Sequence, residues 1–161
     1  MSKLLHVAIT GAAALLSTGS VTPSDTYRPD APAIREIADG ALRDVAVAVY
    51  DPAHPVIYYN PLLMERFPPE MRAFFMAHER AHIELRHTRS SALRAEPGQR
   101  DRLLQAKELE ADCLAARRLG RDHASASMAA VHFFSRLGGR HFDNEHPPGS
   151  ARAARILSCM P

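Results

Sequence analysis

The chain carries almost no excess charge: its 20 basic and 18 acidic side chains leave a formal net charge of +2 over 161 residues. So small a surplus gives no electrostatic case for nucleic acid or an anionic membrane as a partner. Cysteine is scarce as well. The only two, Cys113 and Cys159, lie in no Cys-x-x-Cys arrangement, which removes a thiolate zinc site of the usual spacing. In an oxidising compartment they could pair; two separate buried thiols are the alternative, and the sequence does not choose between them. Past the first 20 or so residues, no apolar run approaches the ~18 residues needed to cross a bilayer. Internal repeats and low-complexity tracts are missing too. What remains, 46% hydrophobic and 24% charged, is the composition of one soluble globular domain.

The first 20 residues stand apart. Lys3 precedes an apolar stretch from Leu4 to Leu16 and then Ser17-Thr18-Gly19-Ser20, the layout of a secretory signal peptide cleaved near Gly19 or Ser20. A mitochondrial-type presequence and a buried N-terminal helix compete with this reading. One Lys and no Arg favour export, to a periplasmic or secreted location with no membrane span once the signal is removed. Residues 21–32, rich in Pro, Ser, Thr and Asp, read as a flexible lead-in, and residues 33–161 as the folded domain.

In that domain Asp30 is placed to cap a helix beginning near Ala31, with Ile34, Ile37, Ala38, Ala41 and Leu42 on one face. The period then changes. Asp44 to Tyr50 and Val56 to Asn60 are strand-like and flank the turn residues Asp51 to Pro55, a hairpin kept short by Pro52, Pro55 and Pro61. Pro68-Pro69-Glu70 starts a helix, because proline loses nothing in a first turn and Glu70 suits the positive end of the dipole. Its buried stripe is Met71, Phe74, Phe75, His78, His82 and Leu85. Pro97-Gly98 reads as a break before a second long helix from Gln99 to Leu119, ended by Gly120. A third helix capped by Asp122 stops at Gly138-Gly139, and a short last one runs from Gly149 to Leu157, started by Ser150.

Residues 78–82 read His-Glu-Arg-Ala-His, a pattern that chance supplies roughly 0.03 times in a chain of this composition. Residues four apart on a helix are stacked one turn apart and rotated by only about 40°, so His78 and His82 can offer two nitrogens to one ion. Glu79 lies about 100° round from His78, beside the ion and suited to act as a base. A hydrolytic zinc needs three protein ligands and an open fourth position. The spacing in which a Gly and a third His follow the pair fails, since positions 85 and 88 are Leu and Thr. His87 is one residue off and reads as solvated or as an outer partner. Glu108 is the better third ligand, with Asp112, Ala115 and Leu119 on its stripe. Asp112 would then accept the outer N–H of a ligand histidine. Glu110 points elsewhere.

Three separated stretches together resemble the M48-type gluzincin metallopeptidases: Ala77 to His87, Lys107 to Asp112, and His146-Pro147-Pro148 with the downstream Arg152. Val56 to Asn60 is similar to the edge strand that lines the substrate in that family. The resemblance implies an α+β, zincin-like domain, mostly helical, with a small antiparallel sheet over the active-site helix. It implies one zinc ion held by His78, His82 and Glu108, with Asp112 behind them. Glu79 would be the general base, and His146, with Arg152 or Arg155, would stabilise an oxyanion. The expected function is an exported zinc endopeptidase acting on extended or unfolded polypeptides. The alternative keeps the zinc and the fold but not the turnover, as a peptide-binding or chaperone-like module. Arg80 inside the motif should face away from the metal. Oligomeric state and cleavage specificity are not readable.

Overall fold

The computed structural model describes residues 32–88 and 95–161. The expected signal peptide, all but the last residue of the expected lead-in and the expected Asp30 cap therefore lie outside the described residues.

The segment expected to be the first helix is a strand. Arg35–Ala38 (β1) runs parallel to Val56–Tyr59 (β3), with Arg35 opposite Val56 and Ala38 opposite Tyr59. Spacing of apolar residues favours a short helix only weakly, whereas β3 offers a full row of unpaired backbone groups on that side. A turn then intervenes, in which Asp39 Oδ1 accepts from Ala41 N at 2.9 Å. Ala46–Val49 (β2) pairs antiparallel with the other side of β3, so the expected hairpin forms. The sheet is consequently mixed, in the order β1-β3-β2, and not antiparallel as expected. The strand expected at the edge, β3, is central; β2 is an edge.

Asn60 ties this sheet to the helix after it. Its Oδ1 accepts from Leu62 N and Leu63 N, capping the single-turn helix Pro61–Met64 (α1), while its Nδ2 donates to Leu42 O at 2.8 Å. A buried amide with donors and acceptor satisfied fixes the loop before β2 against the end of β3.

The helix that carries residues 78–82 is Pro69–Glu84 (α2), with proline in its first turn and Glu70 at its positive end. It is buried on two sides. Ile83 joins Ala46, Ile57 and Met64 in a small core under the sheet. Met71 and Phe74 join Ala115, Ala130, Phe134 and Ile156 in a larger one formed with the later helices.

Those helices are Pro97–Leu119 (α3), Ala124–Leu137 (α4) and Gly149–Cys159 (α5). Pro97 opens α3 instead of separating it from α2, as its position in the first turn allows. Gly120 and Gly138 end α3 and α4 with φ of 58° and 56°, the left-handed conformation that favours glycine. His123 and Pro148 occupy the cap positions expected for Asp122 and Ser150, and neither cap is made by a side chain. A Cβ on Gly149 would lie 2.6 Å from Leu137 Cβ, so its lack of a side chain lets α5 close onto α4.

Cys113 and Cys159 are joined, with Cα atoms 5.2 Å apart. The bond staples α3 to the end of α5 and closes a loop of 46 residues, worth about 4 kcal/mol on the chain-entropy account. Among the described residues no helix is long and apolar enough to cross a membrane.

Candidate metal centre

His78, Glu79 and His82 emerge from α2 in the seam between its two cores, and α3 brings Glu108 across from the other side. His78 Nε2 lies 3.0 Å from His82 Nε2 and 3.1 Å from Glu108 Oε2; His82 Nε2 lies 3.3 Å from Glu108 Oε1. A tetrahedral ion with bonds of roughly 2.05 Å sets its ligand atoms roughly 3.3 Å apart, close to these separations, although the two imidazoles meet different oxygens of the Glu108 carboxylate. The three residues expected as ligands form a group that could hold a metal ion.

The electrostatics follow from crowding these groups out of water. Burial opposes a charge on His78, yet the carboxylates of Asp112 and Glu108 outweigh it and push its pKa up to about 10. Burial holds His82 below its ordinary value even though Glu108 pulls the other way. Glu108 goes well below the usual carboxylate range, because the two imidazoles overcome its own burial. A proton on His78 and an ionised Glu108 thus stand where an ion would sit. Metal and proton compete for the same nitrogen.

Glu79 is beside this group and not in it. Its Oε2 accepts from Ala48 N of β2 at 2.6 Å, which holds the carboxylate against the sheet edge. Burial first, and the negative charge of Glu108 after it, push its pKa up to about 7, against the pull of His78.

Asp112 is fully buried behind His78, Oδ1 standing 3.0 Å from His78 Nδ1. Arg152 from α5 grips it with Nε 2.8 Å from Oδ2 and Nη2 2.7 Å from Oδ1. Burial would raise the Asp112 carboxyl, but this guanidinium holds it below the usual range. Arg152 also lies over the Phe134 ring, 4.1 Å from its centroid, and its Nη2 is 4.0 Å from Glu108 Oε2. Arg155, its competitor in the sequence, instead donates to Leu109 O at 3.4 Å on an exposed face.

His146 stands at the rim. Its Nε2 is 3.6 Å from Glu108 Oε2, and its Nδ1 is 2.8 Å from Asp143 Oδ1. Asp143 also accepts from His146 N and Glu145 N, and His146 O meets His141 Nδ1 at 2.9 Å, so the loop is internally braced. His146, Glu79 and His78 border two openings of about 190 and 200 Å³. The first is walled by Phe67, Phe75, Phe133 and Phe142; the second runs along Ala46, Val47 and Ala48 of β2.

Several participants were not foreseen. The Ala48 N–H is a backbone group and leaves no mark in a sequence. Asp143 is visible only as an Asp three residues before His146. Glu110, expected on the surface, is exposed but meets His87 Nε2 at 3.2 Å, and His87 Nδ1 lies 3.1 Å from His82 Nδ1. Arg80 faces away from the ligands, as expected, and pairs with Glu36 of β1. No family model, no curated protein and no solved structure matches this chain, so the meaning of the site rests on its own residues.

Proposed function

We propose that the chain is an exported zinc endopeptidase with a zincin-like domain, a minimal gluzincin of the M48 type, cutting extended or unfolded polypeptide. The observation that carries the reading is the placement of Glu79 beside a three-ligand group, at the edge of a strand with free backbone groups.

Two imidazoles and one carboxylate are a donor set suited to zinc in a site that keeps an open position. When bound, zinc supplies Lewis acidity toward a water and a peptide carbonyl. Glu79 takes the proton of the attacking water and delivers it to the departing amine, work that suits a carboxylate held beside the three-ligand group by the Ala48 N–H. Asp112 fixes His78 with its proton on Nδ1 and leaves Nε2 to the ion; Arg152 holds Asp112 and so acts on the site through it. His146 gives its Nδ1–H to Asp143 Oδ1, and as an imidazolium its Nε2–H would be turned toward a developing oxyanion.

The substrate is held by the sheet. Val45 O accepts from Asn60 N, and with Val47 opposite Tyr58 the odd-numbered residues of β2 bond to β3. Alternation turns Ala46 and Ala48 outward. Glu79 takes the Ala48 N–H, which leaves Ala46 N–H, Ala46 C=O and Ala48 C=O for an added peptide strand. The phenylalanine-walled opening next to it suits an apolar side chain of that peptide. The Cys113–Cys159 bond supports an oxidising compartment, hence export.

The test is digestion of unfolded casein by zinc-loaded protein beginning near Val21. Cleavage that stops on chelation, returns with zinc and is lost in Glu79→Gln with zinc still bound is the expected result. Intact casein under zinc-loaded wild type, or cutting by the Gln variant, refutes the reading.

A further inference from the structure

The two ligand histidines are supported in different ways. Behind His78 stands the buried Asp112–Arg152 pair. Behind His82 stands a second imidazole, brought there by the way α2 ends.

After Glu84 the chain passes through Arg86 at φ 55°, among the described residues the one non-glycine in the left-handed region. Arg86 N then bonds to Ile83 O at 3.0 Å and His87 N bonds back to His82 O at 2.9 Å. These are the paired bonds of a Schellman stop, a motif that folds the second residue past the helix onto the residue five before it. Here those two residues are His87 and His82. The usual apolar contact of the motif is replaced by imidazole on imidazole, Nδ1 to Nδ1 at 3.1 Å with ring centroids 5.1 Å apart. Lys107 of α3 donates to Thr88 O at 2.6 Å and pins the returning chain.

Donor and acceptor accounting then has one solution with His82 Nε2 free to bind an ion. His82 carries its proton on Nδ1 and donates it to His87 Nδ1. His87 must carry its own on Nε2, where Glu110 Oε2 accepts it at 3.2 Å. We propose that His87 is the positioning residue for ligand His82, and that Glu110 fixes the His87 tautomer on which the arrangement depends. This rests on the metal site proposed above and adds an outer support that the catalytic reading does not require.

The experiment measures zinc affinity of the whole chain, disulfide intact, by competition with a chromogenic chelator. Removal of an outer partner of a metal-ligating histidine weakens binding about 10- to 100-fold. His87→Leu should show that loss while the metal-free protein keeps its circular dichroism and melting curve. His87→Asn, whose Oδ1 can accept from His82 Nδ1–H, should restore affinity to within about threefold of wild type. Glu110 is exposed, so Glu110→Ala should fold as wild type; it should cost about threefold, and nothing further in a His87→Leu background. Long-range proton–nitrogen spectra of zinc-loaded wild type should show His82 protonated at Nδ1. Unchanged affinity in His87→Leu, no rescue by Asn, or a Glu110→Ala loss that simply multiplies with that of His87→Leu overturns the proposal. Wild type that binds zinc but leaves casein intact removes the peptidase and leaves His87 standing; wild type that binds no zinc overturns both.

Discussion

Replacing Glu79 by Gln should abolish turnover and at the same time stabilise the metal-free fold, in a way that depends on pH. The carboxyl sits at about 7 against an ordinary 4.5, because burial and the neighbouring Glu108 oppose its charge. Below pH 4.5 the group is protonated in both folded and unfolded chains, and it costs nothing. Between 4.5 and 7 the unfolded chain releases the proton while the folded chain keeps it, so stability falls as pH rises. Above 7 the penalty is complete, and the distance from 4.5 to 7 corresponds to about 3 kcal/mol. Glutamine never ionises, and its amide oxygen can still accept from Ala48 N. Urea unfolding with chelator present, at pH 4, 6, 7 and 8, should give equal stabilities at pH 4 and an advantage for Glu79→Gln that grows to as much as about 3 kcal/mol at pH 8. His78, whose folded pKa of about 10 lies above its free value of 6.5, also loses stability as pH rises; comparing two variants that both retain it largely cancels that trend. An advantage independent of pH, or one that grows toward acid, would refute the argument that desolvation sets this carboxyl.

Zinc should displace a proton. With His78 at about 10 in the metal-free chain, binding at pH 7 to 8 should release about one proton per ion, and affinity should rise with pH as the competitor is removed. Titration calorimetry in buffers of different ionisation enthalpy reads this directly, and a heat that is the same in every buffer contradicts it. Asp112→Asn should destabilise the metal-free protein by about 3 to 5 kcal/mol, since the amide leaves the Arg152 guanidinium buried without its counter-charge. Adding Arg152→Met should recover part of that loss in urea unfolding; a double variant no better than Asp112→Asn alone would mean that the lost stability had another source.

Helices α2 to α5 were legible because their signals are local: proline in the first turn of α2, glycine at the ends of α3 and α4, and apolar stripes at helical spacing. The group that could hold a metal ion was legible for the same reason, as His78 and His82 share a helix face and Glu108 shares one with Asp112. Strand β1 was not, because Ile34, Ile37 and Ala38 suit one face of a helix, and only the unpaired side of β3, a distant partner, decides for a strand. The mixed sheet follows from that one pairing, and with it the exchange of edge and centre between β2 and β3. Cys113 and Cys159 were ambiguous until α3 and α5 were in place. His87 was read as solvated or as an outer partner, but its contacts with His82 and Glu110 escaped because they depend on φ at Arg86, a residue type that gives no hint of a left-handed turn.

The contrast between the two outer supports bears on why each has its composition. Burying Asp112 and Arg152 removes two ions from water at a cost of several kcal/mol each, and their attraction does little more than offset it. Apolar residues of similar volume would hold α3 and α5 together at least as well, and the Cys113–Cys159 bond already joins those helices one residue from Asp112. Stability therefore does not account for the pair. Orientation does: a carboxylate gripped by both arms of a guanidinium has no freedom left, and His78 Nδ1, 3.0 Å away, inherits that fixity. His82 lies nearer the rim, where Glu110 keeps its contact with water, so a neutral imidazole and a solvated carboxylate serve without any comparable desolvation. If His78 and His82 hold an ion as proposed, the depth of each in the seam between the two cores selects the kind of partner it needs.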